Sequence, residues 1–304
     1  MSGSQCRLCG AAQGEAVFAA QPGVAQAPYA YWRCQTCGVV SLQPLVAWDE
    51  RSHHYTSTYR GYRRRETESS ALQRLSIAYG LQKRLQLVER FVAGGRMLDI
   101  GCGGGDFVVW STARSHWTAF GLERVPTMAV VAAREASGAI TLGDALHLPF
   151  AENSLDVVLL WTVVEHLDAP LQGIRECLKS LRPGGVLVIR TLNIEGWGAR
   201  VFGPHWLGFD APRITTLFSP ATLRLAVERC NAQVIHIGAH FHDFHPYLWC
   251  INNVCRRCWS TGVCERLDRT LASLPVRLLA LPFFALQTAM GKNSFFVLVA
   301  RKRL

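Results

Sequence analysis

The sequence has little charge, and within that charge little acid. Charged residues make up 18% of its 304 positions, hydrophobic residues 49%, and the mean hydropathy is +0.12. General disorder requires the opposite balance and is excluded. Gly (26) and Pro (13) are at ordinary levels, which excludes a collagen-like or Pro-rich chain. No apolar run opens the chain: MSGSQCRLCG lacks the hydrophobic stretch of a secretory signal. Nor is there an uninterrupted apolar run of spanning length. The nearest, Leu271–Met290, is broken by Pro275, Arg277, Pro282 and Gln287. The length suits one large domain, or a main domain with a small satellite, well above the size at which a core becomes marginal.

The scarcity of acid leaves a net charge of +10 and a pI near 9.3. Taken whole, such a balance suggests a polyanionic partner. Divided by segment it reads differently. Residues 1–50 carry −1 and residues 91–250 carry −2, whereas residues 51–90 carry +6 and residues 251–304 carry +7. The middle of the chain is slightly acidic and the basic charge sits in two flanking segments.

The cysteines number eleven. Without a leader, a secreted disulfide framework is not expected, and the compartment should be reducing and cytoplasmic. Patterned Cys then read as metal ligands or buried thiols. Cys6-Arg-Leu-Cys9-Gly10 and Cys34-Gln-Thr-Cys37-Gly38 form two such patterns. Two thiolates two residues apart bind one metal in a tight turn, with the Gly accommodating the backbone. Two of these knuckles make a tetrahedral four-thiolate site suited to structural zinc. Short strands at Ala16–Ala19 and Tyr29–Arg33, with a turn at Pro22-Gly23, complete a zinc ribbon.

A helix is expected from Arg63 to Phe91, with Leu72, Leu75, Tyr79, Leu85 and Val88 on one period. Met97–Ile100 then reads as a buried strand, Gly101 to Gly105 as a tight turn and Phe107–Ala113 as a helix. This is the opening of a doubly wound α/β sheet with a ligand at the strand's carboxyl end. The glycines alone would serve a dinucleotide, a nucleotide-like cofactor or only a turn. Asp99 before them would repel a pyrophosphate but receive an amino-acid ammonium, which points toward S-adenosylmethionine. Thr118–Leu122 is the second strand. Glu123, about 20 residues past the glycine turn, stands where an acid binds ribose hydroxyls. Pro126–Arg134 is a helix and Ala139–Leu142 a strand ending at Gly143-Asp144-Ala145, with Asp144 placed to accept from an adenine amino group. Leu155–Trp161 is a fourth strand ending at Glu165-His166. Leu171–Leu181 is a helix and Val186–Arg190 a fifth strand.

Residues 91–193 resemble the core of class I S-adenosylmethionine-dependent methyltransferases. The resemblance rests on LDIGCGGG at 98–105, Glu123, GDALHLPFAENSLDVV at 143–158, VEHL at 164–167 and LRPGGVLVI at 181–189. It implies an α/β, Rossmann-like doubly wound sheet of seven strands, preceded here by the ribbon. The cofactor would be held by Asp99, Gly101, Gly103, Gly105, Glu123, Asp144 and Ala145. A zinc ribbon, a Tyr-rich linker (Tyr55, Tyr59, Tyr62) and the element Trp206-Leu-Gly-Phe-Asp210-Ala-Pro212-Arg213 narrow the likeness. The combination is similar to bacterial methyltransferases of sugar, polysaccharide, envelope and secondary-metabolite pathways. Many of those relatives have His after the Pro-Arg pair; here Ile214 stands there, so a catalytic role would pass to His205 or His166.

Methyl transfer requires donor and acceptor in line and, for an alcohol, a base. Glu165 and His166 at the fourth strand's end are candidates, with capping or packing as the alternative for His166. His205 and Asp210 belong to a loop that would cover the site or serve only loop structure. Arg213 would bind a substrate anion or salt-bridge to the fold. Tyr55 and Tyr59 would line an acceptor pocket or pack.

The expected domains are a ribbon at 1–48, a linker and helical segment at 49–90, and a methyltransferase domain at 91–304. Ala232–Gly238 and Ser294–Arg301 read as the fold's terminal antiparallel strands, so 240–292 is an insertion. With His236 on the strand before it, the insertion carries His240, His242, His245, Cys250, Cys255, Cys258 and Cys264, of which Cys255-x-x-Cys258 reads as helix with reduced thiols rather than a second metal site. It also carries the apolar stretch 271–290, flanked by Arg256, Arg257, Arg266, Arg269 and Lys292. These suggest an interfacial helix at the inner face of a membrane, with burial on the domain or in a dimer as the alternative. The expected activity is methyl transfer to a small molecule, saccharide or lipid-linked. An RNA methyltransferase with a zinc ribbon is the first alternative and a non-catalytic, cofactor-binding scaffold the second. Nucleic acid is disfavoured by the acidic middle segment and by the lack of an Asn/Asp-Pro-Pro-aromatic motif.

Overall fold

The computed structural model describes residues 5–19, 29–55, 71–114, 116–136, 139–239 and 244–303. Tyr59, Tyr62, the turn at Pro22-Gly23 and the first part of the expected 63–91 helix lie outside these residues. In chain order the strands are β1 (Gly14–Ala19), β2 (Ala30–Cys34), β3 (Val40–Gln43), β4 (Gly95–Ile100), β5 (Trp117–Glu123), β6 (Ile140–Leu142), β7 (Leu155–Trp161), β8 (Leu181–Leu192), β9 (Thr216–Leu217), β10 (Ala232–Gly238) and β11 (Phe295–Lys302). The helices are α1 (Trp48–Ser52), α2 (Ala71–Glu89), α3 (Asp106–Thr112), α4 (Pro126–Glu135), α5 (Pro170–Ser180), α6 (Trp197–Phe202), α7 (Pro220–Arg229), α8 (Phe244–Cys258), α9 (Thr261–Leu271) and α10 (Leu274–Ala289).

A seven-stranded sheet runs in the order β10-β11-β8-β7-β4-β5-β6. Within it β4 pairs in parallel with both β5 and β7, and β5 with β6. The order reverses between β4 and β7, the crevice at which open α/β sheets bind ligands. Strand β7 is buried over Leu155–Leu160, as a strand covered on both faces must be. Helix α5 follows it with Ile174, Cys177 and Leu178 buried. The sequence boundaries of these elements hold to within a few residues, except that β8 is longer than 186–190: it starts at Leu181 and runs through the Arg-Pro-Gly-Gly turn signal.

The chain divides into two compact units, each discontinuous in sequence. One comprises 47–189, 225–235 and 299–304. The other comprises 1–46, 190–224 and 236–298. Residues 190–224 and 236–298 therefore cluster with the amino-terminal cysteines, whereas 225–235 and 299–304 cluster with 47–189.

Helix α2 differs from its expected pattern. Leu85 and Val88 are fully buried, but Leu75 and Tyr79 are exposed. Among the side chains described, those that are buried, Arg84, Leu85, Leu87 and Val88, belong to the carboxyl-terminal turns. One charged residue takes part in that buried face, so a purely apolar period misplaces it.

In the second unit a four-stranded sheet is ordered β1-β2-β3-β9, antiparallel throughout. The last strand comes from residues 216–217, far along the chain. The Tyr31 hydroxyl donates to the Ile214 carbonyl at 3.0 Å, and Arg7 donates to the carbonyls of Leu42 and Thr215. Tyr31, Leu42, Trp206, Ile214 and Leu217 share one apolar cluster. The amino-terminal strands are thus completed by the element that follows Trp206. Burying Tyr31, Leu42 and Trp206 to 2% exposure or less contributes roughly 1.5–3 kcal/mol per large side chain.

Candidate functional site

A pocket opens at the carboxyl ends of β4, β5, β6 and β7, walled by the turns that follow them. The turn after β4 needs its glycines. Gly101 has φ +65°, and a Cβ there would stand 2.6 Å from the Val163 side chain. Only glycine fits both the left-handed backbone and the close approach. Gly101 donates to the Leu122 carbonyl at 2.7 Å, which binds the turn to β5.

Glu123 ends β5 and is 4% exposed. One carboxylate oxygen accepts from the Gly103 N–H at 2.8 Å and the other from the Val125 N–H at 2.9 Å. The glycine turn and the start of α4 are thereby held by one side chain that also lines the pocket. Burial pushes the Glu123 carboxyl up from its ordinary value, against the pull of the backbone N–H groups. An acceptor-only carboxylate retains further lone pairs for a vicinal diol.

Asp144 and Ala145 line the same pocket. Asp144 accepts from the Leu146 N–H at 3.0 Å and pairs with Arg124 at 3.1 Å. His166 and Tyr55 line it too, with the Tyr55 hydroxyl 3.1 Å from His166 Nδ1. Glu165, its neighbour in sequence, is 1% exposed and is absent from the pocket wall. The two residues at the strand end sit in a short 3₁₀ turn, Val164–His166, which points consecutive side chains in different directions.

Asp99 and Gly105 are also absent from the wall. Asp99 is buried and ion-paired with Arg84. The Arg84 guanidinium in turn lies 3.8 Å from the Phe107 ring centre and 4.6 Å from that of Trp161. Burial raises the Asp99 carboxyl while Arg84 opposes the rise. Asp99 is thus held by an ion pair the sequence did not suggest. Gly105 is the left-handed cap of α3.

A charged chain borders the pocket. Arg51, fully buried, pairs with Asp168 at 2.6 Å and donates to the His166 carbonyl at 3.2 Å. Arg124 reaches Asp168 at 3.6 Å and lies 3.8 Å from the Trp48 ring centre. Trp48 also packs on Tyr55, with ring centres 5.4 Å apart. Thus Trp48, Arg51 and Tyr55 place the segment around α1 against the pocket. Sequence reasoning missed Trp48, Arg51, Arg84, Arg124 and Asp168; the high Arg content of 51–90 was the only signal. Thr162, also on the wall, holds φ +58°, a strained value for a β-branched residue and a common mark of a functional turn.

The remaining candidates belong to the other unit. His205 closes a 3₁₀ turn after α6. Asp210 and Arg213 bind each other through two hydrogen bonds, of 2.8 and 2.6 Å. That bidentate pair closes the loop that leads to β9. Tyr59 lies outside the described residues.

In the same unit Cys6, Cys9, Cys34 and Cys37 bring their sulfur atoms within 4.8 Å of one another. Cys6 and Cys37 are 3.5 Å apart, as are Cys9 and Cys34. Thiolates about 2.3 Å from a tetrahedral centre lie roughly 3.8 Å apart, so the four fit a single ion. Gly10 and Gly38, both at φ +78°, donate back to the carbonyls of Cys6 and Cys34 and shape the two knuckles. Among the described residues no second group of this kind forms. Cys250, Cys255 and Cys264 are buried on or beside helices α8 and α9. His240 and His242 lie outside the described residues.

Residues 98–189 match the model of a methyltransferase domain. A tRNA U34 carboxymethyltransferase of Desulfotalea psychrophila is 35% identical over 106 residues, which is 32% of this chain and 32% of that protein. A ubiquinone biosynthesis O-methyltransferase of Psychrobacter cryohalolentis is 29% identical over 182 residues, 55% of this chain and 70% of that one. The chain spans about a third to a half of the length of most of the curated relatives it matches. Among solved structures, a possible histamine N-methyltransferase of Thermotoga maritima superposes with a TM-score of 0.52 at 19% identity, over 76% of this chain and 94% of that one. The fold is therefore the Rossmann-like methyltransferase fold, and 98–189 is its matched core.

Proposed function

We propose that the chain transfers a methyl group from S-adenosylmethionine to a small-molecule acceptor of saccharide, lipid-linked or secondary-metabolite type. The observation that carries this reading is the Glu123 carboxylate, buried at the pocket wall and fixed to the Gly103 and Val125 N–H groups. It matches a ribose diol, and the Gly101 turn leaves room where any Cβ would intrude. When bound, S-adenosylmethionine supplies an electrophilic methyl on a sulfonium.

The chain's own residues do the rest. Glu123 orients the ribose, and Asp144 with the Ala145 backbone borders the adenine. His166 faces the pocket with Nδ1 engaged by Tyr55. For a hydroxyl acceptor, an Nδ1–H directed at the Tyr55 oxygen leaves Nε2 as the base that takes the acceptor proton. Trp48 and Tyr55 exclude water from one side. The four-cysteine cluster holds a structural zinc ion that closes the ribbon and takes no part in the transfer.

An RNA acceptor is the second reading, favoured by the tRNA-modifying relative and by the net charge of +10. The test supplies purified protein with methyl-labelled S-adenosylmethionine and offers it total RNA or a cell extract freed of nucleic acid. Label in the small-molecule or lipid fraction supports the reading. Label in RNA overturns the acceptor but keeps the cofactor. Failure to bind S-adenosylmethionine overturns both.

A further inference from the structure

Helix α10 is inside out. A surface helix ordinarily shows water its polar face. Here the exposed residues of α10 are Pro275, Leu278, Leu279, Leu281, Pro282, Phe283, Ala285, Leu286 and Ala289, followed by Met290. Leu279 is 82% exposed, Leu278 56%, Leu286 55% and Met290 54%. The buried side instead holds Phe284 and the amide of Gln287, which donates to the Tyr247 hydroxyl and the Lys292 carbonyl. Phe284 packs on Tyr247 and Phe244 of α8. The helix is therefore anchored through its polar and aromatic side; of its apolar side Phe283 packs on Trp197 and Tyr247, and Leu278, Leu279, Leu286 and Met290 stay more than half exposed.

The charge around this face is net basic, with Glu265 and Asp268 on α9 set against Arg256, Arg266, Arg269, Arg277 and Lys292. From Arg269 to Ser294 there is no Asp or Glu, and the charged residues are Arg269, Arg277 and Lys292. Arg266 and Arg269 are exposed on α9. Asp268, one of the two acids on α9, accepts from Asn252. Trp259, at the turn between α8 and α9, is 56% exposed. An isologous contact with a second copy brings the same patch against itself, so this basic rim would meet its own charge. A lipid surface carrying negative headgroups complements it. At 16 residues α10 is about 24 Å long, short of a hydrocarbon core of about 30 Å, and no single helix among the described residues is long and apolar enough to cross a membrane.

We propose that α10 lies in the plane of an anionic lipid surface, its Leu278–Met290 face among the acyl chains and Arg269 and Lys292 at the headgroups. This inference is independent of the methyl-transfer reading.

The test is co-sedimentation of the full chain with vesicles of phosphatidylcholine alone, or with about a third of the lipid replaced by phosphatidylglycerol. Binding to the anionic vesicles, reduced by salt, is expected. Arg269→Gln and Lys292→Gln should each weaken it about fivefold. The double variant Leu279→Glu, Leu286→Glu should abolish it while keeping wild-type circular dichroism and cofactor affinity. A wild-type chain that stays in the supernatant overturns the proposal, as does equal binding by all variants. A dimer in sedimentation velocity that the double variant disperses also overturns it, by assigning the face to a second copy.

Discussion

Glu123 Oε2 accepts a hydrogen bond from the Gly103 N–H at 2.8 Å, across 20 residues of chain. The bond joins the two parts of the pocket that a nucleoside must touch together, the glycine turn and the end of β5. Replacing the acid with Gln keeps the shape but removes the charge and turns one acceptor into a donor facing the Gly103 or Val125 N–H. Charge-assisted hydrogen bonds are worth about 1.5–3 kcal/mol each, so Glu123→Gln should weaken S-adenosylmethionine binding at least about tenfold. Titration calorimetry on both proteins measures this.

The same group gives a pH dependence of stated sign. Burial raises the Glu123 carboxyl above 4.5 in the folded chain. Between the unfolded and folded values the native state holds more protons, so the unliganded protein loses stability as pH rises through that window. Asp99, raised from 3.8, adds in the same direction. Cofactor affinity should move oppositely, because ribose hydroxyls donate to the ionised form. Thermal melts across this window, with and without S-adenosylmethionine, should diverge as pH increases, and Glu123→Gln should flatten both trends.

Arg51 is fully buried and binds both Asp168 and the His166 carbonyl. Asp168 is 23% exposed and keeps Arg124 as a second partner, so the loss is that of charge-assisted hydrogen bonds, about 1.5–3 kcal/mol. Arg51→Met should therefore lower the unfolding free energy by about that amount in urea denaturation. It should also loosen the Trp48 and Tyr55 wall and raise the cofactor Kd. An unchanged Kd at lowered stability would confine Arg51 to a structural role.

The four cysteines make a metal prediction. Elemental analysis should find one zinc per chain. Chelation, or Cys34→Ser, should unfold the sheet of β1, β2, β3 and β9, because a structural four-thiolate site supplies much of a small sheet's folding energy. The Tyr31 to Ile214 bond spans that sheet, so Tyr31 fluorescence and hydrogen exchange at Thr216 should report the loss.

The parts legible in the sequence were those with local signatures. Strand β4, its glycine turn and α3 follow one another within 18 residues, each marked by composition. The CxxCG knuckles are equally local. The two-residue strand β9 has no periodicity to read, so the joining of the amino-terminal sheet by Thr216 and Leu217 was out of reach. The ion pairs Arg84 with Asp99 and Arg51 with Asp168 link charges whose proximity only the tertiary fold creates. For that reason the arginine partner of Asp99 was not legible. Glu165 and His166 were indistinguishable by position, and the 3₁₀ turn separates them.

The most direct measurement is calorimetric titration of S-adenosylmethionine into the wild-type chain and into Gly101→Val. A Cβ at residue 101 would stand 2.6 Å from Val163 and at a backbone angle that branched residues avoid. Saturable one-to-one binding by the wild type, lost in the variant while the two share the same circular dichroism spectrum, is the predicted result. No binding by the wild type, or equal binding by both, would contradict the assignment of this pocket to the cofactor.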